Sequence, residues 1–172
     1  MRKSVSGFTI VELLIVVVVI GILASIVVVT YNGVQKNARN ADRYTQVKSW
    51  ERLFQLYKAK YGTFPAVANK DSYCLGSGFP NGKCREYLAS GANTYLESDN
   101  AALMTELKKI GSLPTINPTP VKGWIVGPYV NYWNTGMYLT EEFEGGPTNC
   151  PKGMDYNWDD GNGVLICGMT IN

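Results

Sequence analysis

Glu12 is the residue most in need of a chemical explanation. It lies in FTIVELLIVVVVIGILASIVVV, residues 8–29, a stretch with no other charge. A carboxylate inside an apolar helix costs several kcal/mol, ~3 or more, unless it is paired or neutralised, so it marks a functional position by default. Arg2 and Lys3 stand more than a helical turn upstream, too far to pair with it. A cut after Gly7 would change this, because Phe8 would gain an α-ammonium at the i,i+4 spacing that faces Glu12 on a helix. The same ammonium on a neighbouring, staggered helix would serve equally well. A glutamate snorkelling to the membrane edge is the simpler alternative.

Other chemistry is excluded by composition. The 172 residues contain no histidine, which removes the commonest general base and transition-metal ligand. With no nucleophile motif and no phosphate-binding loop either, the sequence points away from an enzyme. Four cysteines, at 74, 84, 150 and 167, allow three disulfide pairings. A zinc site would need all four, without the close Cys pairs such sites use. Asp155, Asn157, Asp159 and Asp160, with Gly161 and Gly163 nearby, resemble a calcium loop with alternating oxygen ligands. The EF-hand order is not kept, and a polar hairpin tip is the simpler account. Calcium is the one cofactor the sequence raises.

These residues are positioned by a chain of two characters. Its mean hydropathy of −0.08 looks ordinary, but the average joins an apolar rod to a polar remainder. From Phe8 to Val29 a helix would span about 33 Å, the thickness of a bilayer core. Met1-Arg2-Lys3 also fits the start of a secretory signal, yet the apolar run is too long and no small-x-small cleavage site follows. Asn32-Gly33 offers a place for a bend.

From Val34 to Tyr61 apolar residues recur every three or four positions, through Tyr44, Val47, Trp50, Phe54 and Tyr57, predicting an amphipathic helix that stops at Gly62 before Pro65. Lys36, Arg39, Arg43, Lys48, Arg52, Lys58 and Lys60 accompany only Asp42 and Glu51 on it. The basic stripe suits acidic patches on neighbouring subunits better than lipid headgroups or DNA. Both flanks of the rod are basic, so charge alone does not orient it. Further on, Ser98-Asp99-Asn100 caps a short helix over 101–110, and strands are expected over 123–133, 136–143 and 164–171, the first two joined at Asn134-Thr135-Gly136. The fold class is α+β: a long N-terminal helix packed on a small antiparallel sheet.

Ser6-Gly7-Phe8-Thr9-Ile10-Val11-Glu12 and the apolar run after it resemble the class III leader and N-terminal helix of type IV pilins and related pseudopilins. The helix end Tyr57-Lys58-Ala59-Lys60-Tyr61-Gly62-Thr63-Phe64-Pro65 is also similar to that family's. The resemblance implies cleavage after Gly7 by a prepilin peptidase, N-methylation of Phe8, and a role for Glu12 in subunit registration. Many members kink this helix with proline; here Gly21 is the only helix weakener. The implied organisation is a leader at 1–7, a transmembrane or filament-core helix at 8–33, and an extracytoplasmic pilin head at 34–172. Sequential pairing, Cys74–Cys84 and Cys150–Cys167, is expected, since each closes a local loop and the family often closes a C-terminal loop this way.

The resulting expectation is a single-pass precursor in the cytoplasmic membrane, head outside, that becomes a type IV pilus subunit in an extracellular filament for adhesion, motility or DNA uptake. Its partners would be copies of itself and other pilins, the peptidase, a membrane assembly platform and lipid. A pseudopilin of a type II secretion or competence system is the near alternative. A membrane-tethered carbohydrate-binding module is the distant one. Loss of Arg2 and Lys3 with the leader leaves 14 basic and 14 acidic side chains, from 16 and 14.

Overall fold

The computed structural model describes residues 7–66, 72–79, 82–87, 96–97, 101–118, 120–133, 136–146, 150–159, 161 and 163–172. The leader residues 1–6, the cap at 98–100 and the turn residues Asn134-Thr135 fall outside them. The first helix, α1, runs Ile10–Tyr61. It continues unbroken through Asn32-Gly33, so the weak helix formers there do not interrupt it. It ends where Gly62, at φ 77°, turns left-handed and donates its N–H to the Lys58 carbonyl at 2.8 Å, closing the last turn.

The chain divides into two compact units, Met1–Arg39 and Asn40–Asn172. In the first, the large apolar side chains stand open, from Val19 at 48% exposed to Phe8 at 85%. The stretch is long and apolar enough to cross a membrane. Ser25 hides its hydroxyl by donating to the Ile22 carbonyl at 2.7 Å.

The second unit holds the core. Strands β1 (Ser72–Cys74), β5 (Tyr129–Trp133), β6 (Gly136–Glu144), β8 (Val164–Ile171) and β7 (Asp155–Asp159) form an antiparallel sheet in the order β1-β5-β6-β8-β7. Its register pairs Val130 with Leu139, Leu139 with Met169 and Phe143 with Leu165, which puts these side chains on one face. That face closes against Val47, Trp50, Leu53, Phe54 and Tyr57 of α1 and Leu103, Met104 and Leu107 of α2 (Ala101–Lys108). The expected α+β arrangement, a long helix on an antiparallel sheet, is what forms.

Three further strands, β2 (Lys83–Tyr87), β3 (Leu96–Glu97) and β4 (Trp124–Val126), make a second sheet, order β3-β2-β4. It meets the other face of the first sheet: Cys84 clusters with Cys74, Phe79 and Tyr129, and Trp124 with Val164. The single strand expected over 123–133 is therefore two strands in two sheets. Pro128 has no N–H for a ladder, and a Cβ on Gly127 would overlap the Phe79 ring, so the chain crosses between sheets there. The strand expected at 164–171 forms with those bounds, and the one at 136–143 extends by one residue to Glu144. Helix α2 closes two residues sooner than expected, Lys109 and Ile110 forming a turn.

Candidate functional site

Gly7, Phe8 and Thr9 are non-helical and exposed, immediately before α1. Phe8 is 85% exposed, and nothing lies within 4 Å of where a Gly7 Cβ would stand. A peptidase needs a reachable backbone outside regular structure at the bond it cuts, and the Gly7–Phe8 bond is non-helical and exposed.

Glu12 has a partner that the charge argument overlooked. The Thr9 hydroxyl donates to Glu12 Oε2 at 2.7 Å, the Thr9 backbone N–H donates to the same oxygen at 2.9 Å, and the Glu12 N–H donates back to Thr9 Oγ1 at 3.3 Å. This is a capping box, with Thr9 as N-cap and Glu12 at the third helical position. Two of the orphan donors at the helix start are satisfied, and the carboxylate sits at the positive end of the helix dipole. The signal was in the sequence: Thr-x-x-Glu before an apolar run is the spacing of this box. Glu12 is therefore satisfied within the uncut chain, and the ammonium created at Phe8 would be an additional partner.

In the second unit, α1 is tied to the sheet at Asn40 and Arg43, where the helix enters that unit. Asn40 grips the end of β6 with both side-chain atoms: Nδ2 donates to the Glu144 carbonyl at 2.8 Å, and Oδ1 accepts the Glu144 N–H at 3.0 Å. Arg43 stands 3.6 Å from Glu144 Oε1. Arg43 is buried, and Lys48 pairs with Glu51 at 2.8 Å, so part of the expected basic stripe is spent within the head. Asn40, Glu144 and their mutual contact were not foreseen, because a side chain that completes a distant strand leaves no periodic trace. Both disulfides pair as expected, Cys74–Cys84 and Cys150–Cys167, with Cα separations of 5.6 and 5.7 Å. These separations lie within the usual range for bridged cysteines.

The calcium residues do not form a loop. Asp155, Asn157 and Asp159 lie on β7, and four residues of strand separate Asp155 from Asp159 by about 13 Å. One cation cannot bridge that distance. The carboxylate of Asp159 instead accepts the Gly161 N–H at 2.8 Å, closing a local turn. Asp160 lies outside the described residues. Among the described residues no group of three or more acidic, Cys or His side chains converges to hold a metal.

Residues 2–28 match the prokaryotic N-terminal methylation motif. The chain carries a prepilin-type leader. The matched stretch contains both the exposed Gly7–Phe8 bond and the capped Glu12. The chain is similar to type II secretion system core protein G of Vibrio cholerae serotype O1 (strain ATCC 39315 / El Tor Inaba N16961), with 37% identity over 67 residues, 39% of this chain and 45% of that protein. It is also similar to type II secretion system core protein G of Aeromonas hydrophila, with 31% identity over 66 residues, 38% and 46% of the two chains. The chain thus spans a little under half the length of the curated relatives it matches. No solved structure matches it.

Proposed function

We propose that this chain is a pseudopilin-type structural subunit of a type II secretion system. The carrying observation is that a leader of the prepilin type occurs in a chain whose matched relatives are both named type II secretion system core protein G. In this reading the precursor is anchored in the membrane by residues 8–33, a prepilin peptidase cuts after Gly7, and Phe8 is methylated. The rods then exchange lipid for one another. Both surroundings bury apolar surface about equally well, so burial alone gives assembly little direction. Direction comes from a membrane assembly platform, and register from Glu12 and the Phe8 ammonium, since an unpaired charge in the packed rods is heavily penalised. The subunit does no catalysis.

The type IV pilus, in which the filament is an extracellular fibre, is the second reading. It is favoured by the Cys150–Cys167 bridge, which closes the C-terminal region in the way the pilin resemblance implies. Deleting the gene separates the two. Loss of secreted proteins with no change in surface fibres supports the secretion subunit, and loss of fibres with normal secretion overturns it. Glu12→Ala should leave processing intact by mass spectrometry and abolish polymer recovered by cross-linking; normal polymer would remove Glu12 from the mechanism. Calcium should leave the melting temperature of the purified chain unchanged, since the strand keeps Asp155, Asn157 and Asp159 from converging, and a rise would restore the loop reading of Asp155, Asn157, Asp159 and Asp160.

A further inference from the structure

Glu141 and Glu142 are consecutive, and each is only 1% exposed. Alternation along β6 sends them to opposite faces of the sheet. Glu141 shares the face of Leu139 and Phe143, toward α1. Glu142 points to the other face, where the second sheet lies. Burying a carboxylate is tolerated when a cation and hydrogen bonds replace the lost water. For Glu142 that replacement is incomplete.

Arg85 of β2 brings Nε to 3.2 Å from Glu142 Oε1, and its guanidinium lies 5.9 Å from the Trp124 ring centre and 5.7 Å from that of Tyr129. Neither Glu142 oxygen nor Arg85 Nε reaches hydrogen-bonding geometry. Among the remaining groups around Glu142, Arg43 also favours the ionised carboxylate. Arg43 of α1 is engaged with Glu144. Tyr129 of β5 is neutral, its phenol pushed far above the usual range by burial. Ile166 of β8, directly opposite, carries no charge. Glu141 on the same strand is itself buried, which pushes its carboxyl well above the ordinary range, with the Glu142 charge adding to the effect. Burial likewise pushes Glu142 up to about 7, with Arg85 chief among the groups pulling it back.

The contact joins two sheets whose apolar contacts are gathered in two small clusters, Cys74, Phe79, Cys84 and Tyr129 in one and Val121, Trp124 and Val164 in the other. Along the same face of the larger sheet, the Ser72 hydroxyl donates to Asn131 Oδ1, and Asn131 Nδ2 donates to Thr140 Oγ1 at 3.1 Å. The seam is thus partly polar, and Cys74–Cys84 is the covalent tether across it.

We propose that Glu142 is a proton-operated latch: the three-stranded sheet rests closed on the five-stranded sheet while Glu142 holds a proton, and when it swings out about the Cys74–Cys84 tether, that proton passes to solvent. The open carboxyl, hydrated, returns to the ordinary range near 4.5. The sign follows from the raised closed-state value. Closure is strongest below the ordinary range and weakens as pH rises toward 7, because the closed form binds the extra proton.

Hydrogen exchange of the full chain in detergent micelles tests this, reading the β2–β4 ladder amides after correction for intrinsic exchange. Opening should increase roughly a hundredfold between about pH 5 and about pH 8, while the β6–β8 ladder stays protected. Glu142→Gln, which imitates the neutral acid, should hold the slow, acid-like rate across that range. Arg85→Gln should move the transition to higher pH. A wild-type ladder indifferent to pH, or a Glu142→Gln variant with the wild-type slope, overturns the latch. Should either variant fail to fold, the carboxyl carbon of Glu142 in the wild-type chain can be titrated by NMR. A midpoint near neutrality supports the latch, and one in the ordinary glutamate range refutes it.

Discussion

The two halves of α1 share a backbone and treat apolar residues in opposite ways. In the stretch up to Arg39 they occur around the whole circumference, and Val16, Val17, Val18 and Val19 are each about half exposed or more. In the stretch from Asn40 they keep to one stripe, and Val47, Trp50 and Phe54 are fully buried. A stripe can be satisfied by one sheet. A full circumference can be satisfied only by surroundings on every side, either lipid or other helices. The first half is therefore finished by something outside the chain, while the second is finished by residues more than a hundred positions away in sequence, such as Glu144 and Leu165.

The largest effect should come from the packed half. Trp50→Ala removes a fully buried ring whose Nε1 makes no hydrogen bond, so the loss is one of packing, about 4 kcal/mol of head stability by chemical denaturation. Val17→Ala, 58% exposed, should leave the head transition within about 0.5 kcal/mol. Equal effects from the two would break the contrast. Next in size, replacing Cys150 and Cys167 together by serine frees a loop with a separation of 17 residues and should cost about 3 kcal/mol, again in the head transition. The smallest effect belongs to the first half. Thr9→Ala removes the N-cap and should cost about 1 kcal/mol, seen as faster amide exchange in the first turn of α1 with the head transition unmoved. Thr9→Ser should restore protection, and failure to do so would assign the effect to lost packing.

The same contrast explains what the sequence made legible. The rod and the stripe were readable because each is a periodic pattern of many residues, as were β6 and β8, whose runs are long and apolar or β-branched. The cleavage glycine and Glu12 were readable as departures from such a pattern. Short strands were not. The segment Lys83-Cys84-Arg85-Glu86-Tyr87 reads as a polar loop, yet its backbone pairs on both sides, with β3 and β4. Asp155 to Asp159 carry alternating acids that suggest ligands, yet the alternation is that of an edge strand with one side in water, where charges also discourage pairing with another chain. The burial of Glu141 and Glu142 left no trace in the sequence, because it takes α1 on one face of β6 and the second sheet on the other to cover them.

The place of β8 has a consequence for synthesis. The strand made last among those described, Val164–Ile171, lies between β6 and β7 and pairs with both. A ribosome delivers residues in order, so while the rod is already complete and able to enter a membrane, the sheet still has a gap in its middle. A nascent chain stopped short of Val164 would expose the edges of β6 and β7 together with the unpaired thiol of Cys150. Completion of the head is thus reported by its final segment, and a truncated product presents open strand edges and a free thiol to the factors that clear incomplete chains.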